Sequence, residues 1–377
     1  MPLRSKRLLD DFLDLCRIAS PSGRESEVAR VIMGKLDAIG LSHKTDDAGK
    51  GFGGEQGNII VNVQGSLDNV PTLLLNAHMD TVVPCDGVTP IVRDGVVYSD
   101  GTTILGGDDK AGCCVLLELL RVLHEDIIPH GPLEVVFSVA EEIGLQGVQH
   151  LDYSLINAEH AFVFDGGTNM AEVIVAAPTH THLDVNVRGV ASHAAVHPER
   201  GVNAIALASR AISGMNLGRI DDETTANVGI INGGGATNVV PGEVNIQCEA
   251  RSHDRGKLNA QVEHMRALFI GEAEARGGSA AVKVYDKYEA YRLNDDAPVL
   301  RVARAALAER GLEMEPKIGG GGTDGNIFNN HGISALVVSN GEKNVHQLDE
   351  CCAVADMEHS VRLGIGLVTK FSEMIGG

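Results

Sequence analysis

Tryptophan is absent, and aromatic residues make up only 3% of the chain. Stacking platforms for nucleic-acid bases are therefore not expected. No apolar run approaches the roughly 18 uninterrupted residues that a membrane span needs. Basic residues are outnumbered, with 31 Lys and Arg against 51 Asp and Glu, a net charge of −20. Such a surface repels phosphate backbones and anionic lipid, which speaks against nucleic-acid and membrane partners. A disulfide framework is missing too. The seven cysteines are scattered at Cys16, Cys85, Cys113, Cys114, Cys248, Cys351 and Cys352, and no C-x-x-C occurs. An odd, scattered set fits free thiols in a reducing compartment better than bridges or a thiolate zinc site. Acidic residues interrupt the N-terminal apolar stretch, unlike a signal peptide. A cytoplasmic protein is expected.

What is present is a long, apolar chain. Its 377 residues, 44% of them hydrophobic, exceed what one core usually holds, so two domains are expected. Leu9, Phe12, Leu13 and Cys16 fall at helical spacing. Ser22-x-x-Glu25 reads as a capping box for the next helix. Strands are expected at Asn58–Val63, Thr72–Ala77, Leu133–Val139 and His160–Phe164, with a buried helix over Asp109–His124. Strands alternating with helices indicate an α/β class, a sheet flanked by helices. After Ala177 the pattern becomes strand, helix, strand, strand, helix, strand, the βαββαβ order of a ferredoxin-like domain. The α/β pattern returns after Tyr291, with a strand at Ser334–Val338 and helices at Val299–Arg310 and Met357–Met374. Residues 179–287 thus read as an insert in a domain made of 1–178 and 288–377.

The residues able to do chemistry sit where strands end, which is where ligands gather in open α/β sheets. One strand runs into Ala-His78-Met-Asp80, and extended geometry puts His78 and Asp80 on the same side. Asp108 and Asp109, in GGDDKAG, stand before a helix; alone they would be an ordinary acidic helix start. Another apolar strand delivers Glu141 and Glu142, which point to opposite sides of an extended chain. Phe162-Val-Phe164 leads to Asp165, and His346 follows the Ser334–Val338 strand. Singly each has an ordinary structural reading. Together they form a carboxylate cluster that would repel itself without a cation. Two histidines and no thiolate suit Zn²⁺, Co²⁺ or Mn²⁺.

In order, NAHMDTV, GGDDKAG, AEEIG, VFDGG, SHAAVHPERGVNAI, GGGATNVVP, GGGGTDGN and NVHQLDE resemble the M20 metallopeptidase family, above all its tripeptide aminopeptidase branch. The resemblance covers essentially the whole chain. It implies a zinc-exopeptidase-like catalytic domain with two divalent ions, and an inserted lid that often dimerises. It assigns His78 and Asp165 to one ion, Glu142 and His346 to the other, and Asp108 to both. The peptide bond after Asp108 is implied to be cis. Glu141 resembles the general base, Asp80 the residue orienting His78, and His193 the oxyanion-stabilising histidine, with His197 a bystander. Asn238, Arg251 and the GGGGTDGN loop, with Gly322 and Thr323, are implied substrate contacts. Gly320 departs from the branch, where an arginine precedes GGTDG. The implied activity is metal-dependent hydrolysis of amide bonds in short peptides, by a homodimer formed through the lid. A deacylase or dipeptidase on the same scaffold is the alternative. A non-catalytic homologue is disfavoured because every ligand position and the base are present, and a calcium-binding protein because no EF-hand loop occurs.

Overall fold

The computed structural model describes residues 4–167 and 169–376; Met1 and Gly377, the outer bounds expected for the larger domain, lie outside them. Contacts divide the chain into two compact units. The first runs to Ala176 and resumes at Arg292–Gly319 and again from Thr323; the second is Ala177–Tyr291 with Gly320–Gly322. Among the described residues no helix is long and apolar enough to cross a membrane.

The first unit is built on a nine-stranded mixed sheet. Four neighbouring strands, in the order Leu133–Ser138, Leu73–His78, His160–Phe164 and Ser334–Val338, run parallel. They are buried almost throughout, as parallel strands with both faces covered must be. Their carboxyl ends therefore share one edge of the sheet. His78 stands beside Ser138, and Phe164 beside Val338. The Gly107–Glu125 helix packs on Leu73–His78 and on the Val354–Ile375 helix, burying an unbroken run from Asp109 to Leu123.

Two local expectations are corrected. The N-terminal helix, Ser5–Cys16, buries Leu8, Phe12, Leu15 and Cys16 rather than Leu9 and Leu13. Asp11 is buried on that face because Arg121 and Lys35 both reach it. The capping box at Ser22 and Glu25 does not form. Glu25 Oε1 accepts the N–H groups of Gly23 at 2.7 Å and Ala140 at 3.1 Å, and Ser22 Oγ donates to Asp80 Oδ2 at 2.5 Å. Distant partners outcompete the local motif.

A small antiparallel sheet was not anticipated. It joins Glu342–Lys343, Cys351–Ala353, Val96–Tyr98 and Ile91–Arg93, in that order. Cys351 pairs with Tyr98, and Ser99 Oγ donates to the Leu348 carbonyl at 3.2 Å. The loop after Tyr98 and the loop before Cys351 are thereby laid together.

The second unit is a five-stranded antiparallel sheet in the order Gly218–Arg219, Thr224–Gly233, Glu243–Ser252, Thr179–Arg188, Ser279–Tyr288. Burial alternates along Thr179–Arg188, the signature of a sheet with one covered face. Leu183, Val185 and Ile246 on that face meet Leu207 of the Ala204–Ser213 helix and Met265 and Phe269 of the Arg255–Glu274 helix. The long elements follow the βαββαβ order, with Gly218–Arg219 as an added short strand. Gly320–Gly322 joins this unit because Gly322 N–H donates to Tyr288 Oη at 3.0 Å.

Candidate active site

The carboxyl edge of the parallel strands gathers the charged residues of the first unit. His78 ends its strand with the ring buried. Its Nδ1 lies 2.9 Å from the Asp80 carbonyl and 3.5 Å from Asp80 Oδ1. A proton on Nδ1 satisfies the carbonyl and leaves the Nε2 lone pair facing the cluster, the tautomer a metal-ligating imidazole needs. Nε2 lies 2.9 Å from Asp108 Oδ1 and 3.9 Å from Asp165 Oδ1.

Asp108 is held in an irregular helix start. The Asp108–Asp109 peptide bond is cis, and both residues have non-helical backbone angles. Asp108 Oδ2 lies 3.1 Å from His346 Nε2, which itself stands 2.9 Å from Glu142 Oε1. The two oxygens of Asp108 thus face two different histidines. His346 sits at φ +64°, a region that residues with a Cβ seldom adopt and that recurs at functional sites.

Asp109 turns away from this centre to support it. Its carboxylate accepts the Gly112 N–H at 3.0 Å, as an N-cap does, the His78 N–H at 3.0 Å and Asn340 Nδ2 at 2.6 Å. The helix start lies so close to the sheet that Gly112 is required: a Cβ there would fall 2.3 Å from the Phe164 carbonyl. Glu141 and Glu142 leave their strand through Ala140, at φ +52°. Their N–H groups donate to Asp80 at 2.9 and 3.2 Å.

Among the described residues, three overlapping sets of side chains offer ligand atoms lying within 4.8 Å of one another: His78, Asp108, Asp165; Asp108, Glu142, His346; and His78, Glu141, Glu142. The electrostatics match a cation site. Burial, joined by the neighbouring Asp108 and Asp109, pushes Asp165 well above the usual carboxylate range. Burial, joined by Asp165 and Glu142, does the same to Glu141. Hydrogen bonds donated by the His346 ring to Asp108 and Glu142 lift His346 to about 10. Burial pulls His78 down, yet the bonds to Asp108 and Asp80 outweigh it and the ring ends well above its ordinary value. The cluster draws in positive charge, and its donors are nitrogen and oxygen only. Cys113 donates Sγ–H to the His78 carbonyl at 3.1 Å and is pushed up by burial, so it is no thiolate ligand. The donor set fits a pair of divalent ions.

Apart from Thr323, the second unit holds the remaining expected residues, in two places. His193 is exposed, and its Nδ1 accepts the N–H groups of Ala195 and Val196 at 3.2 Å. Asn238 is beside it, its carbonyl accepting the Ala194 N–H at 2.9 Å. His197 stands 3.4 Å from Glu199. Arg251 makes its two-pronged contact with Glu249, Nε to Oε1 at 3.1 Å and Nη2 to Oε2 at 3.0 Å, while Nη1 donates to Tyr288 Oη at 3.4 Å. His180 and Arg251 together hold Glu249 down to about 2. Gly322 lies on the same tyrosine. Thr323, in the first unit, spends its hydroxyl on the Gly325 N–H and caps the Asp324–Asn330 helix with Asn326 in return.

Residues 74–370 match the model of Peptidase family M20/M25/M40. The chain belongs to this family. Within it the chain stands in the tripeptide aminopeptidase branch. A Staphylococcus aureus tripeptidase has a similar structure: 38% identical, TM-score 0.91, covering 99% of this chain and 100% of that one. The aminopeptidase PepT of Bacillus cereus is 38% identical, with TM-score 0.85 and 98% and 99% covered. An uncharacterized Bacillus subtilis protein, YqjE, is 39% identical over 366 residues, 97% of this chain and 98% of that one. An M20 metallopeptidase, the chain carries the mixed-sheet α/β fold of these relatives.

Four residues that shape the site were not given that role by the sequence: Ser22 and Glu25, which read as a capping box, Asn340, and Glu350, the last residue of NVHQLDE. Each acts through contacts that only the folded chain creates.

Proposed function

We propose that this M20 peptidase cleaves an amide bond next to the N-terminus of short, tripeptide-like substrates, using two divalent ions, Zn²⁺, Co²⁺ or Mn²⁺. His78 and Asp165 would hold one ion, Glu142 and His346 the other, and Asp108 both. The observation behind this reading is the seat of Asp108, one oxygen toward His78 and the other toward His346. Bound there, such ions polarise a carbonyl and lower the pKa of water.

The remaining work falls to side chains. Glu141 shares the cluster with His78 and Glu142 and is 8% exposed. It takes a proton from water on its carboxylate and returns it to the leaving amine. Asp80 keeps the His78 tautomer and fixes the Glu141 backbone. His193, with Nδ1 engaged by main-chain N–H groups, presents Nε2–H as a donor to a developing oxyanion. Asn238, Arg251 and Gly322 are the second unit's proposed substrate contacts, with Thr323 a neighbour through its cap. Assembly as a homodimer through the second unit is part of the proposal. Ile230 and Ile231 on Thr224–Gly233 are about half exposed, and Gly218–Arg219 covers only Thr225 and Ala226 of that strand. Seven free cysteines support a cytoplasmic, reducing setting.

The test is a screen of dipeptides, tripeptides and N-blocked peptides on metal-loaded protein, repeated with a chelator. Release of the N-terminal residue from tripeptides is expected, lost on chelation and restored by Zn²⁺, Co²⁺ or Mn²⁺. Preference for N-blocked substrates would favour a deacylase, and indifference to chelation would overturn the metal reading.

A further inference from the structure

The loop that carries Asp108 has few hydrogen bonds of its own. Leu105, Gly106 and Asp108 precede the regular part of the helix, where backbone N–H groups have no partner within the helix. All three point at one side chain. Glu350 Oε2 accepts the N–H groups of Leu105 and Gly106, each at 2.8 Å, and Oε1 accepts the Asp108 N–H at 3.0 Å. Glu350 is 1% exposed, so bulk water does not share this task. The fit is close, since a Cβ on Gly107 would lie 3.0 Å from Glu350 Oε1.

Glu350 itself belongs to the other ligand loop. It follows His346 by four residues, and its N–H donates to the Gln347 carbonyl at 3.1 Å. The next residue, Cys351, starts the strand that pairs with Tyr98. The backbone around Glu350 is therefore anchored on both sides, while its carboxylate reaches the Asp108 loop. One side chain joins the two loops whose ligands, Asp108 and His346, stand 3.1 Å apart.

We infer that Glu350 is a positioning residue, which sets Asp108 and His346 in register before any ion arrives. It touches neither substrate nor ion, and it rests on the metal-site reading above. A carboxylate suits this role because it only accepts hydrogen bonds, on two oxygens. An amide of equal size would turn its NH₂ group against at least one of the three N–H donors. Partners of this kind around metal ligands typically change metal affinity by about 10–100-fold when removed.

The experiment is a Zn²⁺ titration of the metal-free full chain against a chromophoric chelator, with Co²⁺ absorption spectra in parallel. Three proteins are compared: wild type, Glu350→Gln and Glu134→Gln. Glu134 is a matched control, a buried carboxylate accepting Asn157 N–H, Asn157 Nδ2 and Ala158 N–H away from the ligand clusters. Wild type and Glu134→Gln are expected to bind two ions with equal affinity and matching Co²⁺ spectra. Glu350→Gln is expected to bind at least about 10-fold more weakly, with an altered Co²⁺ spectrum. Wild-type affinity and spectrum in Glu350→Gln overturn the positioning role alone. Equal weakening in Glu134→Gln also overturns it, since general destabilisation would then explain both. A wild type that takes up no ion overturns the metal-site reading beneath it. Should Glu350→Gln not fold, Glu350→Asp keeps the charge but shortens the reach; the same weakening supports the role and unchanged affinity contradicts it.

Discussion

Asp80 holds Glu141 by its main chain: Asp80 Oδ1 accepts the Glu141 N–H at 2.9 Å. The same residue accepts the Glu142 N–H on Oδ2 and steadies His78 through its own carbonyl. Two proposed metal ligands, His78 and Glu142, and the proposed base thus lean on one aspartate. The carbonyl survives any substitution, whereas the carboxylate does not. Asp80→Ala is therefore expected to spare the His78 tautomer but release the glutamate loop. Turnover should fall by about 10–100-fold, with a larger effect on kcat than on KM. Steady-state kinetics on metal-loaded protein checks this, and an unchanged kcat would remove Asp80 from the account.

Glu141 makes a sharper case, because it is assigned to proton transfer and not to ion binding. Glu141→Gln keeps the shape of the side chain and removes its basicity. Bound metal, measured by elemental analysis, should be retained. The value of kcat should drop by about 10²–10⁴-fold, the usual scale of general base catalysis. Wild-type turnover in this variant would transfer the role to another group.

Glu25 carries a pH signature of its own. It is fully buried with Oε2 lacking a hydrogen-bond partner, and burial, joined by Asp80, lifts its carboxyl to about 7. The folded chain then binds this proton more tightly than the unfolded chain, whose value is near 4.5. Stability from this group is present below about pH 4.5 and is lost as pH rises through about 7. Glu25→Gln removes the titration. Its thermal midpoint relative to wild type should rise between pH 4.5 and 7 and then stay level. A difference that does not vary with pH would contradict the assignment.

Much of the charged cluster was legible where an apolar strand leads into it, since strand ends are where a parallel sheet presents its side chains. His78, Glu141, Glu142 and Asp165 show this directly in their neighbours in the chain. The cis bond after Asp108 came from family resemblance, since nothing in the local letters requires it. Where local rules misled, a distant group had the stronger claim. Ser22 and Glu25 have the letters of a capping box, yet Asp80 and Ala140 take their side chains. Arg251, implied as a substrate contact, also pairs with Glu249. Glu249 lies two positions away on the same strand face, spacing that signals its partner. Glu350 stands in the NVHQLDE motif, but its role was not legible there, because its three partners are backbone groups more than 240 positions away.

The most direct test of the central claim is where ions bind. Crystals of the zinc-loaded protein, measured at the zinc absorption edge, should show two anomalous peaks per chain. One should lie among His78, Asp108 and Asp165, the other among Asp108, Glu142 and His346. An absent peak at either place, or ions bound only by other side chains, would contradict a shared Asp108 and the two-ion chemistry built on it.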